Sequence, residues 1–235
     1  MTEAIDDWSR YPFTIPALAD RSFELEFDKR VTIFAGPNGI GKSSIIEVIA
    51  DNCGFGTYGG SRNYRTGGDG LSQLSRHMRL SWLPRMSKGF YVRAETLFAF
   101  NEQVDRLAEA SGPDFYDLYG GRSLTERSHG EAFLEIFRSK IGGEGIFVLD
   151  EPEAALSPRR QMDFLKIVKT LDESERAQVI IATHSPLIMA YPDADLFLIG
   201  AEGVSKTSFA ETDHFKLLRE FYLDPELFLD NLFCD

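Results

Sequence analysis

Runs of apolar residues predict five short strands. Residues 146–149, 179–182 and 196–199 each contain four apolar residues in a row. Residues 30–35 form a mostly apolar run that is rich in β-branched side chains, and residues 89–93 form a fifth segment of this kind. Uninterrupted apolar runs of this length are typical of strands that are buried on both faces of a parallel sheet.

Apolar residues at helical spacing occupy the intervals between these strands. They predict helices over 43–50 and 158–171, a small helical lobe over about 97–140, and one or two docked amphipathic helices from His214 onward. This alternation predicts an α/β fold with a mainly parallel central sheet. No repeat or low-complexity linker interrupts it, so we expect a single domain over 1–235.

A different pattern marks the region before the first buried strand. Residues 21–29 alternate apolar and polar side chains at period two. Such alternation is typical of a strand with one exposed face. We therefore predict an antiparallel β layer at the N-terminal side of the sheet.

A glycine-rich loop follows the strand at 30–35 and reads Gly36-Pro37-Asn38-Gly39-Ile40-Gly41-Lys42-Ser43. In a strand–loop–helix setting, this P-loop pattern presents backbone N–H groups and a helix N-terminus to phosphates. Lys42 would contact the β- and γ-phosphates, and the Ser43 hydroxyl would coordinate Mg²⁺. The predicted phosphate-binding residues are Asn38, Gly39, Gly41, Lys42, Ser43 and Ser44. The loop thus predicts ATP and Mg²⁺ as ligands.

Two adjacent carboxylates end the apolar run at 146–149. Asp150 would lie at the carboxyl edge of the sheet beside the P-loop, where it would hold Mg²⁺ through water. Glu151 would act as the general base, or would orient water for attack on the γ-phosphate.

The spacing of further motifs resembles that of the ABC-type ATPase superfamily. Ser128-His129-Gly130-Glu131 is similar to its signature motif, Glu153–Ser157 occupies the position of its D-loop, and His184 matches its switch histidine. The final Glu131 departs from the usual Gln, and Ser157 replaces the usual Asp. Nearly the whole chain resembles small bacterial ATPases described as AAA-type or SMC/RecF-like.

The resemblance implies roles for individual residues. His184 would contact the γ-phosphate, whereas Ser128 and Gly130 would complete the ATP site of a second copy in a head-to-tail homodimer. Glu95 would take the place of the glutamine that links Mg²⁺ to the helical lobe. For adenine stacking, Tyr11 and Phe13 both remain open.

Charge and composition narrow the choice of partners. The formal net charge of −12 disfavours a stand-alone nucleic-acid binder, because such binding relies on Lys and Arg. A local basic face remains open, because seven basic residues fall in one stretch: Arg62, Arg65, Arg76, Arg79, Arg85, Lys88 and Arg93. Two cysteines and the lack of a signal or membrane segment favour a cytoplasmic protein without membrane insertion.

These features together predict an enzyme that hydrolyses ATP with Mg²⁺ as an ATP-sandwiched homodimer and drives a conformational change in an unidentified protein partner. One alternative is the nucleotide-binding subunit of a membrane transporter. Another is a nucleotide-gated interaction or defence module that acts on nucleic acid. The interval of 33 residues between Glu95 and Ser128 is too short for the coiled-coil arm of long SMC proteins.

Overall fold

A six-stranded sheet forms the centre of the structure, which is a computed structural model. The described residues are 5, 7–21, 24–55, 72–82, 88–112, 116–117, 121, 123, 125–140 and 144–234. The strands are β1 (Val31–Ala35), β2 (Gly89–Arg93), β3 (Gly145–Asp150), β4 (Ala177–Ala182), β5 (Asp195–Gly200) and β6 (Gly203–Thr207). They lie in the order β2-β3-β4-β1-β5-β6, and all neighbours are parallel except β5 and β6. The predicted α/β fold with a mainly parallel sheet is confirmed.

Helices cover both faces of this sheet. They are α1 (Lys42–Asn52), α2 (Ser72–His77), α3 (Leu97–Ser111), α4 (His129–Lys140), α5 (Pro158–Glu173), α6 (Pro186–Met189), α7 (Asp213–Leu223) and α8 (Pro225–Cys234). Successive strand residues point to opposite faces. Ile33 therefore joins the core under α4 and α5, whereas Phe34 joins the core under α1. Helices α3 and α4 fall within the predicted helical region at 97–140.

The predicted N-terminal antiparallel layer is not formed by residues 24–30, which have no strand partner; residues 22–23 lie outside the described residues. The alternation at period two is nevertheless real as a burial pattern, because Leu25 and Phe27 pack against the core under α1. The antiparallel edge comes instead from β6, which pairs with β5. An alternation of apolar and polar residues indicates which side chains are buried. It does not require that the segment pair with a neighbouring strand.

The C-terminal helices α7 and α8 form as expected, but neither buries a residue in the structure. They contact each other, and α7 also contacts the short 3-10 helix at Phe209–Glu211. Several large apolar side chains therefore remain exposed: Leu217, Tyr222, Leu223, Leu227, Leu229, Leu232 and Phe233. None of the helices in the described ranges combines the length and apolar character that crossing a bilayer requires.

The sheet register aligns the ends of three strands at one edge. Phe34 of β1 and Asp150 of β3 are both in register with Ala182 at the end of β4. The segments that follow these strands therefore start side by side. Ligands of open α/β sheets bind outside the carboxyl ends of the strands, and this edge carries the residues considered next.

Candidate active site

The P-loop connects β1 to α1 and lies against the end of β5. Gly36 has a φ of +149°, and a Cβ atom built there would lie 2.4 Å from the carbonyl oxygen of Ile199. Only a residue without a side chain fits this approach. Asn38 is exposed, Ser44 is half-buried, and Gly41 precedes the first turn of α1 in a left-handed conformation.

Lys42 is the first residue of α1 and is buried, with 4% of its surface exposed. Its Nζ atom donates to the carbonyl oxygens of Gly36 at 3.1 Å and Pro37 at 3.0 Å. Burial lowers the pKa of Lys42, while the nearby carboxylates of Glu151 and Asp150 act in the opposite direction. The loop thus folds around a desolvated cation.

Asp150 ends β3 and is almost fully buried beside Ser43. The Ser43 hydroxyl donates to Oδ1 of Asp150 at 3.1 Å. Burial raises the pKa of Asp150 to about 6, although Arg93 and the Ser43 hydrogen bond lower it. The Oδ2 atom has no hydrogen-bond partner among the described residues. A buried carboxylate oxygen beside a hydroxyl is the donor set that Mg²⁺ uses together with nucleotide phosphates, so these residues fit the ion.

Arg93 forms ion pairs with three carboxylates, one of which is that of Asp150. Its guanidinium lies 3.6 Å from Asp150, 3.1 Å from Glu95 and 3.9 Å from Glu47. Glu95 lies in the short 3-10 helix Ala94–Thr96, and 63% of its side chain is exposed. Its carboxylate pairs with Arg93, and its role as a metal ligand stays a prediction. Three acidic neighbours also make Arg93 a poor contact for nucleic-acid phosphates.

Glu151 and His184 meet at the centre of the site. Oε1 of Glu151 lies 3.0 Å from Nε2 of His184, and the same Nε2 lies 2.7 Å from Nζ of Lys42. Glu151 adopts the left-handed conformation, with φ 49° and ψ 53°, and its N–H donates to Ala182. This conformation costs a non-glycine residue about 1–3 kcal/mol, and such strain is concentrated at functional sites.

Sequence reasoning missed the contacts that hold His184. The carboxylate of Glu153 accepts hydrogen bonds from the backbone N–H groups of His184 and Ser185. Gln161 of α5 accepts a hydrogen bond from the Ser185 hydroxyl at 2.5 Å. The signal available in the sequence was a second acidic residue only two positions after Glu151, in the D-loop position.

His214 is another residue that sequence reasoning left without a role. It lies in the first turn of α7 and is half-buried. Burial lowers the pKa of His214, and the charges of His184 and Lys42 lower it further. The start of α7 is therefore an electrostatic neighbour of the site.

The signature-like segment lies at the start of α4. Ser128 is exposed, and it exchanges hydrogen bonds with Glu131: the Glu131 N–H donates to the Ser128 hydroxyl, and the Ser128 N–H donates to the Glu131 carboxylate. This is a capping box. Arg160 of α5 donates to Glu131 at 2.7 Å. A Cβ atom built on Gly130 would lie 3.0 Å from the carbonyl oxygen of Ala155, so α4 packs closely on the D-loop segment.

The adenine-stacking candidates differ in exposure. Phe13 is a core residue whose ring contacts Trp8 and His77. Tyr11 is 61% exposed. Of the two, Tyr11 is the side chain with a surface free to stack on a base.

Two family models match the two halves of this site. Residues 13–78, which include the P-loop, match a model described as "AAA domain". Residues 131–190, which include Asp150, Glu151 and His184, match "AAA domain, putative AbiEii toxin, Type IV TA system". Both halves of the candidate site are thus similar to AAA-type domains.

Individual relatives of this chain include transport proteins. It is 24% identical over 177 residues to the macrolide export ATP-binding/permease protein MacB of Burkholderia cenocepacia, a match that covers 67% of this chain and 25% of that protein. It is 24% identical over 169 residues to the zinc import ATP-binding protein ZnuC of Vibrio cholerae, which covers 69% of this chain and 60% of that protein. The chain thus spans about a quarter of MacB.

Among solved structures, the SMC head domain from Thermotoga maritima is similar, with 19% identity and a TM-score of 0.42. That match covers 78% of this chain and 92% of the SMC chain.

Proposed function

We propose that this ATPase hydrolyses ATP with Mg²⁺ in a site that a second copy of the chain completes. The observation that carries the proposal is the meeting of Lys42, Glu151 and His184 within hydrogen-bond distance at the carboxyl edge of the sheet. A cation, an imidazole and a carboxylate around one point match the needs of a γ-phosphate and its attacking water.

Each of the three groups has its own task. The Lys42 ammonium contacts the β- and γ-phosphates, where its positive charge offsets theirs. When ATP is bound, Nε2 of His184 exchanges its contact with Lys42 or Glu151 for a contact with a γ-phosphate oxygen. Glu151 accepts a proton from water, or orients that water in line with the bond to be broken.

Ser43 and Asp150 are the residues that would hold Mg²⁺. The ion, when bound, would neutralise the negative charge that develops on the phosphates. The Ser43 hydroxyl would supply one ligand, and the ionised Asp150 carboxylate would fix the ion through water. The hydrogen bond between the two side chains supports this assignment because it keeps the two oxygen atoms that would bind the metal close together.

The second copy enters through the segment at Ser128–Gly130. The described contacts of Ser128 are with Glu131 on its own helix, and its side chain is exposed. The capping box fixes the first turn of α4, whose N–H groups favour an anion. We infer that this turn covers the γ-phosphate held by Lys42 of another copy, in a head-to-tail pair.

The variant Glu151→Gln tests this proposal. The amide keeps the shape of the side chain but accepts no proton, so ATP binding should persist while turnover falls by roughly 100-fold or more. Light scattering after gel filtration should then show a dimer in saturating ATP. A matched control is Glu173→Gln at the exposed end of α5, which should behave as wild type. A Glu151→Gln protein that stays monomeric at saturating ATP would exclude the two-copy site.

A further inference from the structure

We propose that Glu153 is a positioning residue that sets the orientation of His184. Its carboxylate accepts hydrogen bonds from the backbone N–H of His184 and, at 3.1 Å, from that of Ser185. Both donors lie in the turn between β4 and α6. The kinetic part of this inference rests on the proposed function. The contacts themselves are hydrogen bonds within the chain.

The chemistry of this contact favours a carboxylate. Two adjacent backbone N–H groups converge on one oxygen of Glu153, and an anionic acceptor makes stronger hydrogen bonds than a neutral one. The second oxygen, Oε2, is buried and has no hydrogen-bond partner among the described residues. Burial of a carboxylate is unfavourable unless its contacts offset the lost hydration, so the two N–H groups account for the placement.

Other hydrogen bonds also hold the turn between β4 and α6. The Ser185 hydroxyl donates to Gln161, and the Ser185 N–H donates to the Thr183 hydroxyl at 2.9 Å. The Thr183 N–H in turn donates to the carbonyl oxygen of Phe34. Glu153 differs from these partners because it lies in the segment that also carries Glu151.

Glu153 therefore ties the two catalytic candidates together. Glu151 and Glu153 are two residues apart at the start of one 3-10 helix, Pro152–Ala155. By holding the backbone of His184, Glu153 fixes the distance of 3.0 Å between the imidazole and the Glu151 carboxylate. A misplacement of about 1 Å at a catalytic group is enough to cost about 100-fold in rate.

NMR of the histidine rings tests the positioning without nucleotide. The chain has four histidines, so the spectrum is simple, and His184→Ala identifies the signals of His184. In Glu153→Ala we expect the His184 ring signals to shift or broaden, while those of His77 stay in place. Unchanged His184 signals in a folded Glu153→Ala protein would overturn the proposal, whatever the ATPase activity is.

A double-mutant cycle tests the kinetic consequence. Glu153→Ala should lower kcat about 10- to 100-fold and leave KM for ATP within about threefold, because the P-loop is untouched. In a His184→Ala background the same change should have little further effect, since its action passes through His184. An equal loss of kcat in both backgrounds would show that Glu153 acts independently of His184.

Two further variants separate positioning from folding. Glu153→Gln keeps an acceptor oxygen without the charge, so it should retain part of the activity and show a smaller shift of the His184 signals; it decides the question if Glu153→Ala does not fold. Asp224→Ala removes a carboxylate that likewise accepts a backbone N–H, that of Leu227 at the start of α8. It should change neither the His184 signals nor kcat, and a loss of kcat equal to that of Glu153→Ala would contradict the assignment.

Discussion

The hydroxyl of Ser43 donates a hydrogen bond to Oδ1 of Asp150 at 3.1 Å, although 107 positions separate the two residues in the chain. Ser43 belongs to the first turn of α1, and Asp150 is the last residue of β3. Parallel strands with aligned carboxyl ends bring these two segments together. The contact joins the half of the site that we propose binds phosphate to the half that we propose activates water.

Asp150→Asn should weaken the binding of the Mg²⁺ on which ATP turnover depends. The amide lacks the charge that would hold the ion, so we expect turnover to fall by roughly 100-fold and the half-saturating Mg²⁺ concentration to rise. A titration with MgCl₂ at fixed ATP measures both. Asp163→Asn on α5, whose partner Lys166 lies one turn away, is the control. An unchanged Mg²⁺ titration in Asp150→Asn would remove Asp150 from the metal site.

Ser128→Arg should preserve nucleotide binding and abolish ATP-dependent dimerisation. The side chain of Ser128 is exposed and its described hydrogen bond is with Glu131, so we expect a bulky cation there to disturb mainly a second copy. Loss of the cap itself should cost only about 1 kcal/mol of stability. Fluorescent-ATP binding and light scattering measure the two effects. Asp224→Arg replaces another exposed helix cap, and it should dimerise normally; turnover at the wild-type rate in Ser128→Arg would disprove the signature assignment.

Gly36→Ala should destabilise the protein far more than Gly39→Ala. At Gly36 the added Cβ would lie 2.4 Å from a backbone oxygen, at a φ of +149°, so we expect a loss of about 3–5 kcal/mol. At Gly39 no atom lies within 4 Å of the added Cβ, and the φ of +75° alone should cost about 1–2 kcal/mol. Urea unfolding without nucleotide measures both, and similar losses would contradict the packing argument.

Lys206→Met should destabilise the fold at β6, the last strand of the sheet. Nζ of Lys206 lies 2.7 Å from the buried Asp195 and 2.9 Å from Asp28. Loss of the partner of a buried carboxylate costs about 1–3 kcal/mol. Lys169→Met, which breaks an exposed pair with Glu173, should cost about 0–0.5 kcal/mol.

The effect of Lys206→Met should also depend on pH. Burial raises the pKa of Asp195, but hydrogen bonds from Lys206 and from the N–H of Lys29 outweigh it, and the net pKa is lowered. A lowered pKa stabilises the fold above the unfolded-state value of about 4, and this stability is lost as the pH falls through the folded-state value. The difference between wild type and Lys206→Met should therefore shrink below about pH 4. A constant difference down to pH 2 would show that the ion pair is not its source.

The sequence predicted strands β1 to β5 because each is a largely apolar run that is buried on both faces. Strand β6 was not predicted, because Gly203–Thr207 is mostly polar and exposed. The prediction of a strand was wrong for residues 24–29, because the alternation there is satisfied when Leu25 and Phe27 pack against the core. The exposed state of α7 and α8 was also not predictable, since an amphipathic pattern shows that a face is apolar and not what covers it.

The candidate site was predictable where function requires a particular residue type at a particular spacing, as in Lys42 or Asp150. Glu153 and Arg93 were not, because their contacts depend on how distant segments meet. Glu153 reaches the backbone of residues 31 and 32 positions later, and a backbone N–H leaves no mark in a sequence. Arg93 faces carboxylates from α1, β3 and its own strand end.

The place of β1 between β4 and β5 has a consequence during protein synthesis. Both neighbours of β1 lie about 150 residues later in the chain, so a ribosome must add most of the chain before β1 gains a partner. Until then the strand that carries the P-loop presents unpaired, apolar edges. A nascent chain with such exposed edges is prone to aggregate until β4 and β5 have been synthesised.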